Sequence, residues 1–230
     1  MRRMKYTTKN VLLSIAGVNE KLLLSKIKEI NKLKITRVAL FLTMIKKDAK
    51  RRVFKALLKS TIKEIPLVHL RNDMSQEEII FLENNFHPTY YTIHENSFDH
   101  LHKWPKFKKR LYLEFGGHGK RKPQARVEAI GGFCVDLAHY KIAETSQTVQ
   151  FRYQFSKRKQ KKLFACNHLN GYSPKTNTCI HEVGKIEEFD FLKTLPKFIF
   201  GKTIALEMEN PIREQLIWRK KLIKMLNQRV

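Results

Sequence analysis

The chain lacks the features that would mark a secreted or membrane protein. Its three cysteines, Cys134, Cys166 and Cys179, have neither the number nor the spacing of a disulfide framework, so we expect a reducing, cytoplasmic location. No apolar run reaches the length of a membrane span. The apolar run at residues 11–16 is shorter than the core of a signal peptide and follows polar residues, so it is interpreted as a strand.

Acidic residues are also scarce, since 21 Asp and Glu stand against 46 Lys and Arg, for a formal net charge of +25. A basic surface gains free energy by releasing the counterions condensed on a nucleic acid, so this balance predicts a polyanionic partner, which we take to be DNA. A general lysine bias of the source proteome is the alternative, but such a bias should raise Glu together with Lys. Hydrophobic residues at 42% argue against a disordered chain.

Strand and helix patterns alternate along the chain. Eight apolar segments are predicted as strands, at residues 11–16, 35–42, 65–69, 89–94, 110–114, 133–136, 163–168 and 203–207. Helical spacing predicts helices at residues 19–33, 49–63, 74–84, 185–195 and 211–226, and a further one within 142–161. The pattern predicts a compact (β/α)₈ TIM barrel, a single domain over residues 1–230 and a monomer, with a reduced or missing helix after strand five.

Metal-ligating residue types recur where the predicted strands end. These positions are His69, His94, Glu114, Asp136 with His139 just beyond it, His168 and Glu207. Any one of them could be an ordinary hydrogen-bonded core residue. In a barrel, however, all would converge on one mouth, where a divalent metal offsets the cost of clustering buried carboxylates. The mixture of His, Asp and Glu favours zinc, with manganese possible. The number of candidate ligands indicates more than one ion.

The loop after the seventh strand adds Cys179 and His181 to the candidate ligands. Two residues apart in an extended segment, these side chains share a side and could bind one metal together. A buried, inert thiol is the competing interpretation of Cys179.

Three short motifs resemble those of the endonuclease IV family of abasic-site endonucleases, which belongs to the xylose-isomerase-like barrels. They are residues 135–139 (VDLAH), residues 168–170 (HLN), and Leu206-Glu207 followed by Asn210-Pro211. Residues 181–184 (HEVG) are similar to a further loop of that family. The resemblance extends over nearly the whole chain.

The resemblance implies up to three bound zinc ions. His69, His94 and Glu114 would hold the first, and Glu114 would bridge to a second held by Asp136, His168 and Glu207. His139 and His181 would hold the third, where Cys179 stands in place of the family's aspartate. The sequence departs from the family in two other respects: the first-strand histidine is replaced by Leu12 or Leu13, and the residues that wedge DNA open have no clear match.

The expected function is metal-dependent hydrolysis of a DNA phosphodiester at abasic or damaged sites, that is, an AP endonuclease of DNA repair. Glu114 and Glu207 are the candidate catalytic residues, which would orient the nucleophile. Candidate phosphate-binding residues on the same barrel face are Lys46, Lys47, Arg51, Arg71, Lys120, Arg121, Lys122 and Arg126. The basic run at residues 157–162 precedes the seventh strand and is therefore expected on the opposite face, as a solvated surface.

Two other functions remain open from the sequence. A sugar isomerase or epimerase of the same superfamily would use one metal held by Glu114, Asp136, His168 and Glu207, although a neutral sugar gives no reason for the charge of +25. A non-catalytic nucleic-acid-binding relative is the third possibility, because Cys179 replaces an aspartate.

Overall fold

Eight parallel strands form one sheet that wraps into a barrel in the computed structural model, which describes residues 5–43, 45–116, 122 and 125–229. The first strand has two segments, Val11–Leu12 and Ser14–Ile15. The other seven, in chain order, are Ala39–Phe41, Leu67–His69, Tyr90–His94, Leu111–Glu114, Gly132–Asp136, Phe164–Leu169 and Thr203–Leu206. Each predicted strand is present, and the TIM-barrel prediction is confirmed.

The sheet closes at the first strand. Val11 pairs with Ile204 of the eighth strand, and Ser14 pairs with Ala39 of the second, so the two segments hydrogen-bond on opposite sides. The glutamine side chain of Gln215, from the last helix, binds both the N–H and the carbonyl of Ser14, at 2.8 and 3.1 Å. These bonds occupy backbone groups at the point where the first strand changes partner.

Side chains along each strand point alternately into the barrel interior and into the layer under the helices. The interior holds a small cluster of Leu12, Ala16, Ala39, Phe41, Leu67, Cys134, Cys166 and Ala205. Neighbouring residues on the same strands, such as Leu13, Leu40 and Val135, belong instead to the large core beneath the helices. Since successive side chains point to opposite faces, one strand contributes to both cores.

Within the residues that the structure describes, six α-helices surround the barrel. They are α1 (Glu20–Lys32), α2 (Lys47–Leu58), α3 (Gln76–Phe86), α4 (Leu137–Thr145), α5 (Val149–Ser156) and α6 (Ile212–Arg229). Asn19 caps α1 by accepting a hydrogen bond from the N–H of Leu22, and Ser75 with Glu78 forms a capping box on α3. No described helix is both long and apolar enough to cross a membrane.

The connections elsewhere are 3₁₀ segments and turns, as expected after the fifth strand, where the pattern predicts a reduced or missing helix, but not at residues 185–195. After the fourth strand come 3₁₀ segments Glu95–Lys103 and Pro105–Arg110, and after the fifth the described residues contain only the 3₁₀ turn Val127–Ala129. The segment predicted as a helix at 185–195 is 3₁₀, Ile186–Thr194. The loop after the seventh strand contains a hairpin of Gly171–Ser173 and Thr178–Ile180.

The helix predicted within 142–161 is in fact two helices, and the first of them begins earlier. Asp136 ends the sixth strand and caps α4 directly, because its Oδ1 accepts a hydrogen bond from the N–H of His139 at 2.7 Å. This cap places His139 in the first turn of α4, beside the strand end.

Candidate metal centre

The carboxyl ends of the strands converge on a cavity of about 230 Å³ at the mouth of the barrel. Its lining includes His69, His94, Glu114, His139, His181 and Glu207. Asp136 and His168 lie deeper and are almost completely buried. The candidate ligands at the ends of strands three to eight therefore lie around one opening, because parallel strands bring their carboxyl ends to the same face.

Two groups of ligand-type side chains share one carboxylate. His69, His94 and Glu114 bring one ligand atom each within 4.8 Å of one another. Glu114, Asp136, His168 and Glu207 do the same. His69, His168 and Glu207 form a third combination that overlaps both. Glu114 therefore lies between two adjacent positions, each with enough donors to hold a metal ion.

Unpaired buried atoms show that these side chains fit a cation. Nδ1 of His69 and Nδ1 of His168 lie 3.3 and 3.0 Å from Oε2 of Glu114. Even so, neither nitrogen makes a hydrogen bond, and Oε2 of Glu114 and Oε2 of Glu207 also have no hydrogen-bond partner. Since buried polar atoms are nearly always satisfied, this concentration of unsatisfied donors and acceptors is what a set of metal ligands would show.

The charges in the cluster depend strongly on one another. Burial alone would raise the pKa of Glu114, but the imidazoles of His168 and His69 hold that pKa well below its usual range. Burial raises the pKa of Glu207 to about 8, against the opposing effect of His168 and with the repulsion of Glu114. A divalent cation would relieve this repulsion between carboxylates, since it compensates several negative charges at once.

Neighbouring side chains orient the candidate ligands. Asn170 donates a hydrogen bond to Oδ2 of Asp136 at 2.9 Å, and the Thr92 hydroxyl lies 3.3 Å from Nε2 of His168. The ring of Phe41 packs edge-on against His168 at a centroid distance of 4.8 Å. Sequence reasoning assigned none of these three a role, although Asn170 follows His168 by two residues and Thr92 precedes His94 by two on the same face of its strand. Such contacts fix the orientation of a ligand.

Cys179, His181 and His139 lie beside the two shared groups but belong to neither of them. Sγ of Cys179 is 3.5 Å from Nε2 of His181, while Nδ1 of His181 lies 3.1 Å from the carbonyl oxygen of Glu207. Nδ1 of His139 is 3.7 Å from Oε1 of Glu114 and 3.8 Å from Oδ1 of Asp136. Hydrogen bonds from His139 and His181 lower the pKa of Cys179 to about 6, which favours the thiolate.

The first strand brings no ligand to the centre. Leu12 lies in the barrel interior and Leu13 lies in the core under the helices. The end of this strand contributes Ala16 and Gly17 to the cavity lining instead. Among the described residues, the candidate metal ligands therefore come from the third to eighth strands and the segments that follow them.

Several predicted phosphate-binding residues are ion-paired. Arg71 binds Asp73 at 2.9 Å, and Lys122 binds Asp99 at 2.8 Å. Lys46, Arg51 and Arg126 are exposed, with no ion pair among the described residues. Lys120 and Arg121 lie outside the described residues, as does the side chain of Lys47.

No family model matches the chain, and a search of curated proteins finds no match. Evidence for the function therefore lies in the side chains at the barrel mouth.

Zinc is expected to stabilise the fold. Because the buried acids and imidazoles compensate one another incompletely, an ion that binds only the folded state at 100 times its dissociation constant should add about 2.7 kcal/mol to the free energy of unfolding. The midpoint of thermal unfolding should rise by several degrees with Zn²⁺ and return on adding a chelator. Equal midpoints in metal and in chelator would show that the cluster is an ordinary buried network.

Proposed function

We propose that the protein is a metal-dependent phosphodiester hydrolase that acts on DNA. The observation that carries the proposal is the position of Glu114 in two adjacent ligand groups. A carboxylate shared between two such groups is typical of sites that hold more than one ion, and enzymes that cleave phosphodiesters commonly use pairs of metal ions.

His69, His94 and Glu114 would hold one ion, and Glu114 with Asp136, His168 and Glu207 a second. Zinc is the ion that this donor set favours, with manganese as the alternative. When bound, such ions act as Lewis acids that polarise a phosphoryl oxygen and offset the negative charge that develops on it.

The protein's own groups contribute an orienting carboxyl group and a defined cavity. Oε2 of Glu207 has no hydrogen-bond partner, and Glu207 lines the cavity. It is therefore placed to orient an attacking water molecule. Deep burial of His168 and Asp136 keeps the floor of the site fixed, since Thr92 and Asn170 hold the two side chains from behind.

Action at an abasic or damaged nucleotide is the more specific part of the proposal. It is supported by the motif resemblance at residues 135–139, 168–170 and 206–211 and by the formal charge of +25. The three cysteines are free, which accords with a reducing cytoplasm as the place of action.

A sugar isomerase is the competing function. Glu114, Asp136, His168 and Glu207 could hold the single metal that such chemistry needs. The additional group of His69 and His94 with Glu114 gives no advantage to a one-metal isomerase, and for that reason we favour the hydrolase. A non-catalytic nucleic-acid-binding protein would need none of these ligands.

The test combines a metal count with a cleavage assay. Purified protein loaded with Zn²⁺ or Mn²⁺ is analysed for bound metal by elemental analysis. It is then incubated with a duplex containing one abasic-site analogue, with an undamaged duplex, and with a set of aldoses and ketoses, each with and without chelator. We expect at least two ions per chain and chelator-sensitive nicking of the abasic duplex.

Each alternative has its own result. One ion per chain with turnover of a sugar and intact DNA would establish the isomerase and exclude the hydrolase. Metal-free protein that binds DNA without cutting it would also exclude the hydrolase and leave a binding protein. Equal nicking of both duplexes would keep the hydrolase but remove the preference for abasic sites.

A further inference from the structure

Exposed cations without a carboxylate partner lie at the end of the barrel opposite the metal centre. Few acidic residues lie near the described segments that enter the strands: Glu64, Glu128 and, in the last turn of α3, Glu83. Each is bound to a cation, Glu64 to Arg37, Glu128 to Lys157 and Glu83 to Arg110. The amino ends of the strands, unlike their carboxyl ends, are thus nearly free of unpaired negative charge.

Exposed cations surround part of this face. They precede the fifth, seventh and eighth strands, which with the sixth lie side by side in the sheet. We call this set the lower rim: Lys106, Lys108, Lys109, Arg158, Lys159, Lys161, Lys162, Lys197 and Lys202. All nine side chains are exposed, and within the described part of the chain none has an ion-pair partner. Because the strands are parallel, the segments that enter them lie at one face of the barrel, so these cations add to the positive potential of that face.

At the mouth of the barrel, more of the described cations have carboxylate partners. Lys46 and Arg51 are exposed without an ion pair among the described residues, but Arg71, Arg52 and Lys122 bind Asp73, Glu20 and Asp99. The buried Lys50 binds Asp73 and Glu78. A cation that already has a carboxylate partner must lose it before it can bind a phosphate, so these residues contribute less to polyanion binding than the unpaired cations of the lower rim.

An exposed aromatic side chain borders the lower rim. Phe155, at the end of α5, is 40% exposed. The guanidinium of Arg158 lies over its ring, 4.3 Å from the centroid, and Phe155 packs against Phe151 and Phe198 at centroid distances of 5.7 and 6.0 Å. Aromatic rings beside unpaired cations provide the two contacts that single-stranded nucleic acids use, stacking of a base and binding of phosphates.

We propose that the lower rim is a second nucleic-acid-binding surface, which holds a single-stranded segment through its phosphates and stacks a base on the Arg158 guanidinium that lies over Phe155. The surface is separate from the metal centre, since the two lie at opposite ends of the strands. A lipid membrane fits the rim less well, because a membrane-binding face has a broad apolar surface, whereas here the exposed apolar group is a small one beside a row of cations. The proposal does not depend on the reaction at the mouth.

Three lysines before the seventh strand provide the test. The variant Lys159→Gln/Lys161→Gln/Lys162→Gln is compared with Lys21→Gln/Lys28→Gln/Lys55→Gln, which removes the same charge from exposed positions on α1 and α2. Binding of a fluorescent single-stranded oligonucleotide is followed by anisotropy over a series of salt concentrations, with chelator present so that no cleavage occurs. Circular dichroism establishes that all proteins are folded.

The rim variant should bind the oligonucleotide at least about tenfold more weakly at low salt. The slope of its log association constant against log salt concentration should be smaller in magnitude by about two. The control variant should remain within about threefold of the wild type. Phe155→Leu, which keeps the apolar contacts with Phe151 and Phe198, should weaken binding of the single strand more than that of a duplex.

Equal affinities and salt slopes for the rim and control variants would overturn the proposal. Binding of anionic vesicles that depends on the rim, without binding of the oligonucleotide, would overturn it too. Because the assay contains no active metal, its result is independent of whether the mouth hydrolyses DNA.

Discussion

Glu114→Gln is expected to reduce metal-dependent hydrolysis by at least about 10³-fold, equivalent to about 4 kcal/mol of transition-state stabilisation. Glu114 is buried and belongs to both ligand groups at the barrel mouth. An amide keeps the shape of the side chain but removes the negative charge that two adjacent cations would share. The variant should therefore lose ions from both positions, and its activity should not return with excess metal.

Glu207→Gln tests whether one ligand group can be lost while the other still holds its ion. Glu207 belongs to the group with Asp136 and His168 but not to the group of His69, His94 and Glu114. We expect its activity to be lost as well, with at least one ion retained. Glu187→Gln, an exposed position on the segment Ile186–Thr194, is the control for the change of charge. Elemental analysis and the nicking assay on the three variants check the prediction, and a Glu114→Gln protein with full metal content and activity would contradict the assignment of Glu114 as a shared ligand.

Lys26→Met is expected to lower the free energy of unfolding by about 1–3 kcal/mol, the penalty for a buried carbonyl that loses its donor. That carbonyl is the one of Ala16, since the carbonyl of Met208 also accepts a hydrogen bond from Gln215 at 3.4 Å. Nζ of Lys26 is buried and donates hydrogen bonds to the carbonyl oxygens of Ala16 and Met208, at 2.7 and 2.6 Å. These two residues follow the first and eighth strands and line the cavity. Methionine fills the same space without a donor.

Urea unfolding of Lys26→Met, with Lys28→Met as the control, measures this effect. Lys28 is exposed on the same helix, so its replacement should change the free energy of unfolding by less than about 0.5 kcal/mol. A Lys26→Met protein as stable as the control would show that the carbonyl of Ala16 has found another donor or water.

Comparison of Lys26→Met with the wild type also reports on the charge of Lys26. Burial lowers the pKa of Lys26 to about 7 from 10.5, against the attraction of Glu209 and Glu29. Between these values the unfolded chain binds more protons than the folded one, so the contribution of Lys26 to stability rises with pH across this range. The difference in the free energy of unfolding between wild type and Lys26→Met should therefore widen as the pH is raised from 7 to 10.

The strands and their terminal ligands could be predicted because both follow from local patterns. Apolar runs define the strands, and the parallel topology then brings their last residues together, as it does for His94 and Glu114, which are paired in register. Side chains that act between elements have no such local pattern. Thr92 and Asn170 become partners of His168 and Asp136 only when neighbouring strands meet.

The buried lysine shows a second limit of the sequence. Lys26 lies among Leu23, Ile27 and Ile30 on the buried stripe of α1. Lysine is usually exposed, however, and the two carbonyls that hold it come from segments at the two ends of the chain. The position of the charge could not be predicted either, because the net charge of +25 does not show at which end of the barrel the cations lie.

The seam between the first and eighth strands has a consequence for the order of folding. Its hydrogen bonds join residues about 200 positions apart, as in the contact of Ser14 with Gln215. Contacts of such long sequence separation form slowly, and this one requires the last helix. During synthesis, one edge of the first strand therefore stays unpaired until the eighth strand and α6 have left the ribosome. An unpaired strand edge favours aggregation, so the nascent chain is exposed to aggregation during this interval.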